Sequence, residues 1–187
     1  MTISELLLSY GQSARAVALL KELEQDSPSS LSLYGLSGSS SAFLFASIVA
    51  RLNRTLVFIL DDNDEAGYFY NDVKQMLGDE KVFFLPSGYK RAVKYGQRDN
   101  AAGILRTEVL AKLSQKDSVH KDNIIVTYPQ AVAELVVSQI NLDNRLIRLK
   151  VGDTIDTSSL TKKLRDYGFT ETDYVYEPGQ FAMRGSI

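Results

Sequence analysis

Cysteine is absent from the 187-residue sequence, and histidine occurs once, as His120. Without cysteine the chain has no disulfide framework, no Cys-ligated zinc site and no thiol nucleophile. His120 lies in a polar run with no second histidine to share a metal, so we interpret it as a solvated loop residue. A Gly-x-Ser-x-Gly motif is also missing, so nothing supports a nucleophile elbow.

A large net charge and a long apolar run are missing as well. The net charge of −2 gives no global basic field of the kind that attracts nucleic acids. The most apolar stretch, Ala42 to Ala50, is far too short to span a bilayer. The first residues, Met1 to Glu5, lack the basic segment and apolar core of a signal peptide. We therefore expect a cytoplasmic protein without a membrane partner.

Strand patterns alternate with helix patterns over residues 1–140. Short apolar runs predict strands at 31–34, 55–60, 81–85 and 123–127. Helical periodicity predicts helices at 6–8, 14–23, 41–52, 65–77, 101–113 and from Pro129 to about Val137. The run 55–60 is typical of a strand covered on both faces. The alternation predicts an α/β domain with an open parallel sheet and flanking helices.

The pattern changes near residue 141, where we predict that a small α+β domain starts and occupies 141–187. Its expected elements are an exposed strand at 145–150, an amphipathic helix at 157–167 capped by Asp156 or Thr157, and a hairpin of 173–176 with 181–187 across Pro178-Gly179. A strand-like run that continues to Ile187 leaves backbone groups without pairing partners. We therefore expect this domain to be truncated and the chain to be part of a longer protein.

The segment Gly35–Ala42 stands where a phosphate-binding loop would stand, between a predicted strand and a predicted helix. A working loop reads Gly-x-x-x-x-Gly-Lys-Ser/Thr, in which lysine meets the terminal phosphates and the hydroxyl holds magnesium. This chain keeps Gly35 and Gly38, but it has Ser40 in place of the glycine, Ser41 in place of the lysine and Ala42 in place of the magnesium ligand. Losing one charge-assisted phosphate contact costs about 1.5–3 kcal/mol. We predict a degenerate nucleotide site without catalysis, with weak anion binding as the alternative.

The final third of the chain carries a specific motif. It reads Tyr167-Gly168-Phe169-x-x-x-Asp173 and then Glu177-Pro178-Gly179-Gln180-Phe181-Ala182-Met183-Arg184-Gly185. Together with the degenerate loop and the predicted sheet, this motif resembles the N-terminal region of the bacterial transcription-repair coupling factors (Mfd), a region similar in turn to UvrB. The resemblance covers about residues 30–187.

This resemblance implies a helicase-like first domain that has lost its ATP site, and a second domain that binds the nucleotide excision repair protein UvrA. The full-length family protein is an ATP-dependent DNA translocase that recruits UvrA to DNA damage at stalled RNA polymerase. The resemblance therefore implies a non-catalytic module without a cofactor. ATP and Mg would bind only the downstream motor, and RNA polymerase and DNA would contact the remainder of the protein.

The resemblance also places the UvrA-binding surface on Arg184 and Phe181, with Glu177 beside them and Arg165 on the preceding helix. The planar guanidinium of arginine can bind a carboxylate through two hydrogen bonds, and aromatic residues are enriched at binding hot spots. Simpler interpretations stay open, since Phe181 alternates with Met183 like a core residue and Arg165 lies on a helix face typical of solvent exposure. Where UvrB has two nearby arginines, this chain has Ala182 and Arg184.

Two other functions stay open at this level. The first is a small P-loop phosphotransferase with an unusual loop. The second is a DNA-binding module that uses the segment Tyr89–Arg98, where cations alternate with aromatic residues. We interpret that segment as a solvated loop.

Overall fold

A computed structural model of the chain describes residues 2–52, 54–89, 99–114, 123–138, 141 and 146–185. Its helices are α1 (Ile3–Gly11), α2 (Ala14–Leu23), α3 (Ser40–Val49), α4 (Asn63–Leu77), α5 (Asn100–Ser114), α6 (Pro129–Val132) and α7 (Thr157–Asp166). Its strands are β1 (Leu56–Ile59), β2 (Val82–Leu85), β3 (Ile124–Thr127), β4 (Thr170–Glu171) and β5 (Gln180–Phe181). None of the described helices is long and apolar enough to cross a membrane.

The chain forms two compact units, one of Met1–Ser87 with Gln115–Ala133 and the other of Gly88–Ser114 with Glu134–Ile187. Each unit therefore combines segments that are distant in sequence. The single linear boundary near residue 140 stays a prediction, because residues 139, 140 and 142–145 lie outside the described part of the chain.

A three-stranded parallel sheet in the order β1-β3-β2 forms the centre of the first unit. All four residues of β3 are buried, as expected for a continuous apolar strand between two neighbours. The buried Thr127 hydroxyl donates a hydrogen bond to the Leu85 carbonyl at 2.8 Å, so its polar group is satisfied. The prediction of a mixed α/β fold with a parallel sheet is confirmed.

Two of the predicted strands differ from the structure. Burial alternates along β1: Leu56 and Phe58 pack against the core, whereas Val57 and Ile59 are more than half exposed. The expectation that both faces are covered is wrong, because among the described residues only the face with Leu56 and Phe58 is packed. Residues 31–34 form no strand, and the exposed Tyr34 has no sheet pairing in the described ranges.

Three further elements differ in the later part of the chain. The helix that starts at Pro129 ends at Val132 rather than near Val137. Two residues later, the Glu134 carboxylate accepts a hydrogen bond from the Gly88 amide. Residues 146–150 form no strand, because the chain turns there through mutual hydrogen bonds between Lys150 and Asp153. The expected hairpin is instead a parallel pair of two-residue strands, β4 and β5.

Helix ends follow local sequence signals. Asp62 caps α4 by accepting hydrogen bonds from the Asp64 and Glu65 amides, both at 2.9 Å. Gly78 ends the same helix with φ of 87°, a conformation that glycine adopts without steric cost. Asp62 also belongs to the pair Asp61-Asp62, which follows a strand as the acidic residues of some magnesium sites do. In the structure the Asp62 carboxylate instead caps the helix.

Helix α3 is covered nearly all round, as its apolar sequence predicts, because it contributes to two clusters. Ala42 and Val49 pack in the core between the sheet and α4. Ile48 packs in a second cluster with Leu19 and Leu20 of α2. This double packing fixes where the Gly35–Ala42 loop joins the fold.

We expect Gly11→Ala to destabilise the first unit. A Cβ at this position would lie 2.9 Å from the Ser47 carbonyl oxygen, closer than real Cβ contacts. Overpacking costs about 1–3 kcal/mol, more than the gain of up to ~1 kcal/mol in helix propensity at a helix end. Urea denaturation should show a lower midpoint. The matched control is Gly67→Ala on α4, where a Cβ would meet no atom within 4 Å; equal midpoints for the two variants would contradict this prediction.

Candidate partner-binding surface

Helix α7 carries and orients the candidate surface in the second unit. Asp156 is its N-cap and accepts hydrogen bonds from the Ser158 and Ser159 amides at 3.2 and 3.1 Å. Its C-terminus ends in a Schellman motif, in which the Gly168 amide bonds the Arg165 carbonyl and the Phe169 amide bonds the Leu164 carbonyl. The motif turns the chain directly into β4. Asp156, rather than Thr157, is therefore the cap.

The loop between β4 and β5 is organised by one side chain, Gln180. Its Oε1 accepts hydrogen bonds from the Tyr176 and Glu177 amides at 3.0 and 3.4 Å, and its Nε2 donates to the Glu177 carboxylate at 3.2 Å. The strands themselves pair through the bonds from Thr170 N to Gly179 O and from Thr172 N to Phe181 O, both 2.9 Å. The loop thus has a defined shape although its residues are mostly exposed.

Arg184 is exposed and lies across the face of Tyr174, with its guanidinium carbon 4.0 Å from the ring centroid. Its Nη2 donates a hydrogen bond of 3.3 Å to the Asp173 carbonyl. The preceding residue, Met183, receives a contact of 3.3 Å from the buried Thr161 hydroxyl of α7, which holds this part of the chain to the helix. Arg184 is therefore held by a ring contact and a backbone carbonyl, and neither of these two contacts is an ion pair.

Arg165 has a different environment. Its guanidinium forms an ion pair with Glu171, and its Nε donates a hydrogen bond of 3.1 Å to the same carboxylate oxygen. By contrast, no carboxylate of the described residues forms an ion pair with Arg184. Of the two arginines that the resemblance selects, Arg184 is the one available to a carboxylate on another molecule.

The other two predicted residues lie close in sequence to this surface. Phe181 lies in β5 and is half-buried. This degree of burial is compatible both with a core residue and with a residue that contacts a partner. Glu177 is exposed, and the Gln180 amide holds its carboxylate. Sequence reasoning did not select Tyr174 or Gln180. The one sequence feature that could have indicated them is their place inside the motif. Their contacts depend on the conformation of the loop between β4 and β5.

The Gly35–Ala42 loop is built as a turn. Gly35 and Gly38 have φ of 81° and 52°, and the Ser40 hydroxyl accepts a hydrogen bond of 2.7 Å from the Ser37 amide. Ser41 is half-buried at the start of α3, and Ala42 is fully buried. Ser41 therefore offers no cation to a phosphate group, and Ala42 offers no oxygen ligand to a magnesium ion.

Several predicted features cannot be placed. Of the segment Tyr89–Arg98, residues 90–98 lie outside the described residues, as does His120. Among the residues that the structure does describe, no group of three His, Cys, Asp or Glu side chains is arranged to hold a metal ion.

The chain is a mixed α/β protein with a small parallel sheet, and its final part contains α7, β4 and β5. Residues 147–187, which include α7, β4, β5 and Arg184, match the protein-family model described as the UvrB interaction domain.

Sequence relatives extend this similarity along nearly the whole chain, at low identity. The chain is 22% identical over 99% of its length to UvrABC system protein B of Vibrio parahaemolyticus. It is 23% identical over 95% of its length to the proteins of the same name from Proteus mirabilis and Lacticaseibacillus casei. The chain spans only 28–29% of the length of these relatives.

Proposed function

We propose that this chain is a non-catalytic docking module that binds UvrA in nucleotide excision repair. The observation that carries the proposal is the match of residues 147–187 to the UvrB interaction domain, because Arg184 and Phe181 lie inside it. The exposed, positioned guanidinium of Arg184 supports the same function, since arginine forks are common anchors of protein interfaces.

Within this function, the chain is the N-terminal module of a transcription-repair coupling factor rather than of UvrB itself. The residues at 40, 41 and 42 favour this assignment, because a module with its own nucleotide site would need the glycine, lysine and hydroxyl that are missing here. The ATP-dependent translocase and the contacts with RNA polymerase and DNA then belong to other parts of the full-length protein. The module itself uses no cofactor.

The direct test is a titration of the chain into purified UvrA, followed by calorimetry and by size-exclusion chromatography. We expect a saturable complex that elutes ahead of either protein. Absence of heat and of co-elution at micromolar concentrations of both proteins would remove the proposal.

The degenerate loop leads to a separate prediction about nucleotides. ATP with magnesium is expected to leave the melting temperature of the chain unchanged, since no cation at position 41 meets the terminal phosphates. A ligand at 100 times its dissociation constant would add about 2.7 kcal/mol to the free energy of unfolding, a shift that differential scanning fluorimetry detects readily. A nucleotide-dependent rise in melting temperature would instead favour the phosphotransferase.

A further inference from the structure

The loop between β4 and β5 brings an aromatic ring under a cation. Tyr174 belongs to this loop, and Arg184 follows β5, so the two side chains meet only because the strands pair in parallel register. Tyr174 as a residue is 57% exposed, and the ring of the neighbouring Tyr176 lies 6.4 Å from the Tyr174 ring, centroid to centroid. The guanidinium therefore lies over an aromatic face at the surface of the molecule.

An arginine that contacts an aromatic ring keeps its N–H groups available for hydrogen bonds, whereas an ion pair with a carboxylate uses some of them. A guanidinium carries five N–H donors in its own plane, and a ring below the plane uses none of them. Among the described contacts of Arg184, only the bond from Nη2 to the Asp173 carbonyl uses a donor. Arg165 offers the internal comparison, because Glu171 already occupies the edge of its guanidinium.

We propose that Tyr174 is a positioning residue that presents the edge of the Arg184 guanidinium to a carboxylate of the partner protein. This inference rests on the proposed function, because the partner is the protein that docks on the same surface. The ring limits the rotation of a long and flexible side chain before binding, so less conformational freedom is lost when the carboxylate binds.

The test compares two substitutions that both remove the Tyr174 hydroxyl, of which only one keeps the aromatic ring. Tyr174→Leu keeps an apolar side chain but removes the aromatic face, whereas Tyr174→Phe keeps the face and removes only the hydroxyl. We expect the leucine variant to bind UvrA about two- to fivefold more weakly, as the strength of an exposed cation–π contact implies, and the phenylalanine variant to bind like the parent chain. In an Arg184→Ala background, Tyr174→Leu should cause no further loss.

A measurement on the free chain separates positioning from a direct contact. The NMR signal of the Arg184 Nε–Hε group should shift in Tyr174→Leu and stay in place in Tyr174→Phe, with unchanged melting temperatures for both. Equal affinities of Tyr174→Leu and the parent chain, or the same loss with and without Arg184, would overturn the positioning role while leaving the proposed function intact. Failure of the parent chain to bind UvrA would overturn both.

Discussion

Arg184→Ala is expected to weaken the binding of UvrA by about 1–3 kcal/mol, which is roughly a five- to 150-fold rise in the dissociation constant. The physical reason is that the Arg184 guanidinium is exposed, held by Tyr174 and the Asp173 carbonyl, and without an ion pair to a described carboxylate. An arginine already fixed in this way loses little conformational freedom on binding. Isothermal titration calorimetry of the variant against UvrA measures the effect.

Control substitutions separate the contribution of the planar guanidinium from that of its positive charge. Arg184→Lys retains the charge but not the planar donors, so it should recover only part of the affinity. Arg148→Ala removes another exposed arginine inside the matched region and should leave binding unchanged. Arg165→Ala should have a smaller effect than Arg184→Ala, because Glu171 already occupies its guanidinium. An Arg184→Ala variant that binds as tightly as Arg148→Ala would contradict the assignment.

Glu134→Ala is expected to destabilise the second unit by about 3–5 kcal/mol, because it removes the carboxylate from a buried ion pair with Arg106. The Glu134 Oε2 lies 3.5 Å from Arg106 Nη1 and also accepts a hydrogen bond of 2.9 Å from the Gly88 amide. The two side chains are only 17% and 10% exposed, so water cannot replace the lost contacts easily. A urea unfolding curve should show a large fall in the midpoint.

A surface pair provides the matched control for this prediction. Asp79→Ala removes the same kind of group from an ion pair with Lys74 that is 3.5 Å long but exposed, and it should cost no more than about 1 kcal/mol. The double variant Arg106→Met/Glu134→Leu should be more stable than Glu134→Ala, since it replaces both charges of the pair with apolar side chains. Similar losses for Glu134→Ala and Asp79→Ala would argue against a buried ion pair.

Elements with strong local signals could be predicted from the sequence. Helix α4 has a capping aspartate at one end and a glycine at the other, and β3 is a short apolar run that ends just before Pro129. Helix α7 combines a capping aspartate with an amphipathic pattern. In each case the residues that decide the structure lie within the element or next to it.

Elements that depend on distant partners were predicted less well. Residues 31–34 have an apolar composition suitable for a strand, but a strand also requires a neighbour with which to exchange hydrogen bonds. The exposed face of β1 depends on which parts of the chain pack against the sheet, and the apolar run 55–60 does not encode that packing. The Tyr174–Arg184 contact depends likewise on strand pairing. The resemblance selected Arg184, but the partner of its guanidinium required a structure.

The complete burial of Ala42 makes any return to a working phosphate loop difficult. Position 41 is only half-buried, so a lysine could be introduced there with little effect on packing. A threonine at position 42 would instead place a hydroxyl and a methyl group at a fully buried position that packs among apolar side chains. Recovery of metal binding would therefore require redesign of the interior of the first unit as well as of the loop.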